Sequence, residues 1–489
     1  MKNNLVIEMK LINPLVIVYI LSTILFLEAV SFLFCLPAAI IYNESADPFL
    51  WSALVTVSAS VIFYLISKKA AKRTITNREG FMSVSLGWII LSLAGSLPYI
   101  FSGTIPSFIN AFFESTSGFT TTGSSILNDV ESLPRSILFW RSFTHWIGGL
   151  GIIVLVIIIL PSIGMTANQL LPLESSLKEK IHPKTKAVGI RLLYAYLGLT
   201  IIEIILLNLG EMDLFESICH TFGTVATGGF SVKNDSISGY SAYSQYIIMI
   251  FMFLSGVSFV VYYYIVKLNF RKVKHNDELW FYFGTTLFFG AIATSILLTN
   301  TSMSPENAFR EGFFQVISII TTTGYVSVDY LTWPTAGLIL IFMLLFAGAS
   351  TGSTTGGIKM VRHLVILKNI QNAFRKLVHP NIITQIKLNN KPLTDRMNVS
   401  IISFVILFLV IFLAGTVVIV MLGTDPVTAA SAVGTSLGNT GPGLGSIGPM
   451  YNYSHMPGMS KVIFIFLMII GRLEIYTIFI LFSKSFWKL

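Results

Sequence analysis

Long apolar segments separated by short polar ones run the whole length of the chain. Ten are long enough, at about 20 residues, to cross a bilayer as helices: 12–41, 50–67, 81–102, 137–161, 190–209, 244–267, 279–299, 335–358, 398–422 and 460–483. Four more are apolar but too short: 107–118, 213–224, 306–319 and 426–437. About 12 helical residues rise only ~18 Å, against a hydrocarbon core of ~30 Å. Each short segment opens on a helix-start signal, namely Pro106-Ser107, Asp213, Ser304-Pro305-Glu306 and Asp425-Pro426. The simplest fit is a short helix entering from the outer face, with the chain then turning back to that face. Non-helical backbone at membrane depth is tolerated only where it lines a polar cavity.

Each short segment also ends on a related phrase. The phrases are Thr120-Thr121-Thr122-Gly123-Ser124, Val225-Ala226-Thr227-Gly228-Gly229, Thr321-Thr322-Thr323-Gly324-Tyr325 and Gly438-Asn439-Thr440-Gly441-Pro442. Their key glycines are read as Gly123, Gly228, Gly324 and Gly441, spaced 105, 96 and 117 residues apart. That period is too long for a solenoid repeat and suits four quasi-equivalent units around one axis. Four strands of backbone carbonyl around such an axis can replace the water shell of a monovalent cation. Glycine relieves the backbone strain of turning carbonyls inward. The partially negative C-terminal ends of the short helices would favour a cation there. The alternative for any single phrase is a helix C-cap before an outer loop.

Composition fixes the setting. Of 489 residues, 54% are hydrophobic and 11% charged, well below the roughly 25% charged of soluble domains. The net charge of +9 is gathered in a few loops. With the N-terminus cytoplasmic, 26 of the 32 Lys and Arg fall on the inner side, in the pattern that orients membrane proteins. Nucleic-acid binding is not implied. Cys35 and Cys219 lie in apolar surroundings without metal-type spacing and read as small core residues.

The segment 335–358 carries Gly348-Ala349-Ser350-Thr351-Gly352-Ser353-Thr354-Thr355-Gly356-Gly357, too rich in glycine and hydroxyls for a firm helix. Ile358 separates Gly357 from Lys359, so it is not a nucleotide-binding loop. It reads as a broken helix whose loop plugs the pore below the filter, or as a close helix crossing built on small residues. Arg472 sits inside the last span and needs a polar interior. It either borders the pore beneath the filter or belongs to a structural ion pair. Glu474 points elsewhere on that helix. Glu114, Glu216 and Glu311 lie at unequal distances before their glycines, which argues against a ring of equivalent carboxylates; they read as packing or helix-start acids. His220 reads as a packing residue.

The glycine phrases in this arrangement resemble the bacterial TrkH/TrkG potassium transporters of the Trk/Ktr/HKT superfamily, over the whole chain and including the extra N-terminal helix pair. The resemblance implies an all-α polytopic membrane protein with ten transmembrane helices and four re-entrant pore helices. The expected division is a helix pair (1–75) followed by four pseudo-fourfold, channel-like repeats at 76–178, 179–275, 276–385 and 386–489. It implies a potassium filter built from Thr121, Thr122, Gly123 and Ser124; Ala226, Thr227, Gly228 and Gly229; Thr322, Thr323, Gly324 and Tyr325; and Asn439, Thr440, Gly441 and Pro442. It implies a gate in Gly348, Ser350, Thr351, Gly352, Ser353, Thr354, Thr355, Gly356 and Gly357, with Arg472 beside it. Potassium would be cargo, with no resident cofactor. ATP or NAD would act only through a cytoplasmic ring of TrkA-type subunits bound to a homodimer in the bacterial inner membrane. The loops 178–191, 267–275 and 359–396 are its candidate docking surfaces, or simply topology anchors. The rival within the superfamily is a sodium-permeable or sodium-coupled relative. A membrane-embedded transferase would need clustered acids or histidines, and a receptor would leave four pore loops unexplained.

Overall fold

The computed structural model describes residues 12–70, 75–154, 185–382 and 384–487. The end of the expected span 137–161, the loop 163–184 and the basic N-terminal residues Lys2 and Lys10 lie outside them. The regular secondary structure of the described residues is helical apart from one hairpin of two-residue strands, Lys387–Leu388 with Lys391–Pro392. Its turn, Asn389-Asn390, takes positive φ at both residues, as a tight hairpin requires.

The four short helices are Phe108–Phe119, Leu214–Val225, Pro305–Ile320 and Pro426–Gly438. Three start on a side chain that accepts from the first turn. Asp213 takes the Glu216 amide, Ser304 the Asn307 amide, and Asp425 those of Val427 and Thr428. From the middle of each helix onward nearly every residue is buried, glycines and hydroxyls included. The short helices therefore lie inside the bundle, with the long helices packed around them.

Six helices among the described residues are long and apolar enough to cross a membrane, or eight if two bent pairs each count as one span. Ten spans are expected from the sequence, and several of them are broken within the described residues. The segment 244–267 is two helices, Ala242–Ser255 and Phe259–Val266, bent by 92°. The segment 460–483 is Gly458–Arg472 followed by Tyr476–Phe482, bent by 104°. The segment 335–358 is helical only over Thr335–Leu344, and helix resumes at Met360–Val378. Smaller breaks divide 12–41 at Phe34-Cys35 and 81–102 at Gly95-Ser96.

The breaks satisfy one another. At the first bend the Gly256 carbonyl accepts from the Ser350 amide (3.0 Å), and the Phe259 amide donates to the Gly352 carbonyl (3.0 Å). At the last bend Glu474 and Ile475 both have positive φ, and the Glu474 carboxylate pairs with Arg362. Backbone freed from a helix in a membrane needs such partners, and an apolar run does not reveal them.

The Asp425 carboxyl is held below the usual carboxylate range by hydrogen bonds from the Thr428 side chain and amide. Its contribution to stability is complete above the ordinary carboxylate pKa near 4 and fades as pH falls through its lowered folded value. Asp425→Ala is expected to cost about 1 kcal/mol at pH 7, and less as acid protonates the wild-type carboxyl. Thermal unfolding in detergent across pH measures both.

Candidate functional site: four left-handed turns and a glycine-rich loop

Each short helix ends in the same backbone event. One residue enters the left-handed region: Thr121 (φ +50°), Thr227 (φ +55°), Thr322 (φ +53°) and Asn439 (φ +55°). The next amide reaches back five residues, as in Thr122 to Ser117 (2.9 Å), Gly228 to Gly223 (2.7 Å), Thr323 to Ser318 (2.9 Å) and Thr440 to Thr435 (2.9 Å). This is a Schellman-type cap, but its left-handed residue is a Thr or Asn and not the phrase glycine that the helix-cap alternative would use. Its left-handed position normally belongs to Gly or Asn. Three β-branched threonines hold it here, each at a cost of about 1–2 kcal/mol. Strain repeated at matched positions marks a site that the surrounding structure enforces.

Two residues after each left-handed residue comes a glycine with positive φ: Gly123 (+83°), Gly229 (+80°), Gly324 (+78°) and Gly441 (+95°). The second loop is thus one residue out of the expected phase. Gly229, not Gly228, matches the other three; Ala226 is the helix cap, and Phe230 takes the place of Ser124. The two adjacent glycines made the Thr-Gly pair a false anchor, and the five-residue hydrogen bond decides between them.

The four loops close on each other. A Cβ on Gly123 would meet the Gly228 carbonyl oxygen, on Gly229 that of Thr323, on Gly324 that of Thr440, and on Gly441 that of Thr122, at 2.2, 1.9, 2.1 and 2.7 Å. Each glycine is pressed against the carbonyl of the next loop, and the fourth returns to the first. No side chain fits between them.

The segment after Leu344 forms a loop pinched at its neck. Gly348 and Gly357, both with positive φ, lie in contact there, and Met360 donates to the Ala349 carbonyl (2.9 Å). Its body lies against three of the four turns. Thr354 Oγ1 donates to the Val225 carbonyl (3.1 Å) and accepts from Thr227 Oγ1 (3.3 Å). The Gly356 amide donates to Thr322 Oγ1 (2.8 Å), and a Cβ on Gly356 would strike the Gly438 carbonyl and Asn439. Arg472 joins the loop to the helix behind the first turn, donating to the carbonyls of Thr354 (2.5 Å) and Gly148 (2.9 Å). Among the described residues it has no carboxylate partner; the nearby Glu474 pairs with Arg362 instead. Within the loop Ser353 Oγ bonds the Ser350 carbonyl and Thr355 Oγ1. The Thr351 amide donates to the Glu278 carboxylate (2.6 Å), and Lys359 Nζ to the Thr355 carbonyl (2.6 Å).

The comparisons with known proteins agree with this architecture. The family model of the TrkH cation transport proteins matches residues 51–489. The chain belongs to the TrkH family. It is similar to the Trk system potassium uptake protein TrkH of Escherichia coli (strain K12), at 34% identity over 92% of this chain and 94% of the relative. It is similar to TrkG of the same strain at 32% identity, covering 97% and 98%. The crystal structure of the potassium transporter TrkH from Vibrio parahaemolyticus superposes with a TM-score of 0.89 at 30% identity, over 97% of this chain and 100% of that one. These relatives are transporters, and the TrkH-family chain is a multi-pass membrane protein and not an enzyme.

Other residues of this TrkH-family chain support the site without a local sequence signal. Glu114 and Arg141 form a buried ion pair (2.7 Å). The Tyr325 hydroxyl donates to the His220 and Phe230 carbonyls (2.9 and 3.1 Å), so its side chain braces the second loop from behind. Asn439 Nδ2 donates to Thr122 Oγ1 (3.0 Å) and the Met468 carbonyl (2.9 Å), linking the fourth turn to the first. Ser124 Oγ donates to the Gly441 carbonyl (3.2 Å), and Pro442 packs beside Gly324. Among the described residues no cluster of His, Cys, Asp or Glu could hold a metal ion.

The register of the second loop is testable. A Cβ on Gly228 would meet the His145 ring, at 2.5 Å, which His145→Ala removes; one on Gly229 would meet backbone at φ +80°. In a His145→Ala background, Gly228→Ala should melt within a few degrees of its parent. Gly229→Ala should lose about 1–3 kcal/mol. Equal losses in detergent melts would contradict the assignment.

Proposed function

We propose that this chain is the membrane subunit of a bacterial potassium uptake system, conducting K+ inward through one filter made by the four loops. The observation that carries the reading is the closed contact of each loop glycine with the next loop's carbonyl. Such a ring offers carbonyl oxygens from four directions, which is how a protein replaces a hydration shell. The names of the relatives, which are potassium uptake proteins, supply the ion.

The reading divides the chain into a helix pair (1–75) and pore repeats at 76–178, 179–275, 276–385 and 386–489. The termini lie in the cytoplasm, because that orientation puts 26 of 32 Lys and Arg on the inner side of the inner membrane. The membrane potential drives the ion. The loop Gly348–Gly357 is the gate, supported by its hydrogen bonds to the second and third turns and by its link to Arg472. A homodimer bound to a nucleotide-binding TrkA-type ring would control it. The basic segments 267–275 and 359–396 are exposed for docking over much of their length.

Two measurements in liposomes test this. Gly123→Ser introduces a Cβ toward the Gly228 carbonyl and should lower the potassium-to-sodium permeability ratio; an unchanged ratio removes Gly123 from the filter. Arg472→Gln should raise flux per folded protein without changing that ratio. At roughly 7 Å and an effective dielectric of 20, its charge repels a cation by ~2 kcal/mol, about thirtyfold in rate. Lower stability with unchanged flux would make Arg472 a structural residue and move the gate elsewhere.

A further inference from the structure

A second closed ring lies just beyond the first. The residues two positions after the left-handed glycines are Ser125, Ser231, Val326 and Gly443. The carbonyl of each accepts one hydrogen bond, and each donor comes from the segment that follows the preceding loop. Arg141, after the first loop, donates Nη1 to Ser231 (2.8 Å). The Ile237 amide, after the second, donates to Val326 (3.0 Å). The Tyr330 hydroxyl, after the third, donates to Gly443 (2.8 Å). The Tyr453 amide, after the fourth, donates to Ser125 (2.8 Å). The ties run in one sense and return to their start.

Three donors are neutral; Arg141 is charged. Its guanidinium lies 3.5 Å over the Phe230 ring, and Nε donates to Glu114 Oε1 (2.7 Å). Glu114 in turn accepts the Ile126 amide (2.9 Å) and the Ser125 hydroxyl (2.9 Å). Both side chains are essentially buried, at 4% and 0% exposure. The pair therefore binds the first and second loops together at the same level, through four charge-assisted contacts. Such contacts are shorter and stronger than neutral ones.

We propose that this outer ring sets ion preference by fixing the separation of the four loops, and that Arg141 with Glu114 is its dominant positioning element. The inference rests on the filter reading above. None of these groups needs to touch the ion. They determine whether the carbonyl ring can contract around a smaller cation: with a tie cut, one loop moves, and the penalty for accommodating Na+ falls. Arg141 also cannot be replaced by Lys on equal terms, because only a planar guanidinium both stacks on Phe230 and spans two acceptors.

The test compares potassium-to-sodium permeability ratios in liposomes for Tyr330→Phe, Arg141→Lys and the double variant Glu114→Gln with Arg141→Gln. The double variant leaves no lone buried charge, so it tests the proposal even if Arg141→Lys fails to fold. Thermal unfolding in detergent reports folding separately. Tyr330→Phe should lower the ratio about fivefold, the worth of one neutral hydrogen bond. Arg141→Lys and the double variant should lower it by about tenfold or more, since hydrogen bonds to charged groups are worth more. Unchanged ratios in folded variants, alongside a reduced ratio in Gly123→Ser, would overturn the ring proposal and leave the filter intact. A wild-type chain that does not discriminate the two ions would overturn the filter reading itself.

Discussion

Backbone that leaves the helix inside a bilayer must find a partner for every amide and carbonyl. The four turns of this chain solve that requirement in one way. The amides fold back onto their own short helices, five residues earlier. The carbonyls beside the glycines are left crowded against the neighbouring loop. The left-handed threonines and the absence of any Cβ at the ring both follow. A helix dipole ends at each turn with its partially negative end toward the same place, which suits a cation and would repel an anion.

The same requirement couples the ring to the rest of the bundle. The loop Gly348–Gly357 takes its own hydrogen bonds from two turns and from the bend at Gly256–Ser258. That bend exists in the described structure because the loop supplies its missing partners. Arg472 spans from the loop to Gly148, and Arg362 ties the helix after the loop to the bend at Glu474. The loop cannot move without exchanging these bonds, so its position and the shape of two neighbouring helices change together.

Local signals made the short helices legible: Asp213, Ser304 and Asp425 are caps within a residue of where the helices start, and cap chemistry is readable from a few residues. The broken character of 335–358 was equally plain, since its glycines and hydroxyls oppose helix directly. The bends at 256–258 and 473–475 are hidden because a lone Gly with flanking hydroxyls, or one Arg and one Glu, is tolerated inside a long apolar helix, and the partners of the bent backbone are distant in sequence. The second loop is out of phase by one residue because Gly228 and Gly229 are adjacent, and what separates their roles is the bond from Gly228 to Gly223 and the positive φ at Gly229. Glu114 and Arg141 are 27 residues apart with no motif joining them, so their pairing is purely a product of the fold.

The most direct measurement is a crystal structure of the protein grown with rubidium or thallium in place of potassium, with anomalous scattering used to find the ion. A peak on the axis enclosed by the carbonyls of Thr122, Gly228, Thr323 and Thr440 is the expected result, because those are the oxygens that the ring of glycines brings together. An ordered ring with no peak there, or a peak only elsewhere in the bundle, would contradict the claim that the four turns form a cation filter.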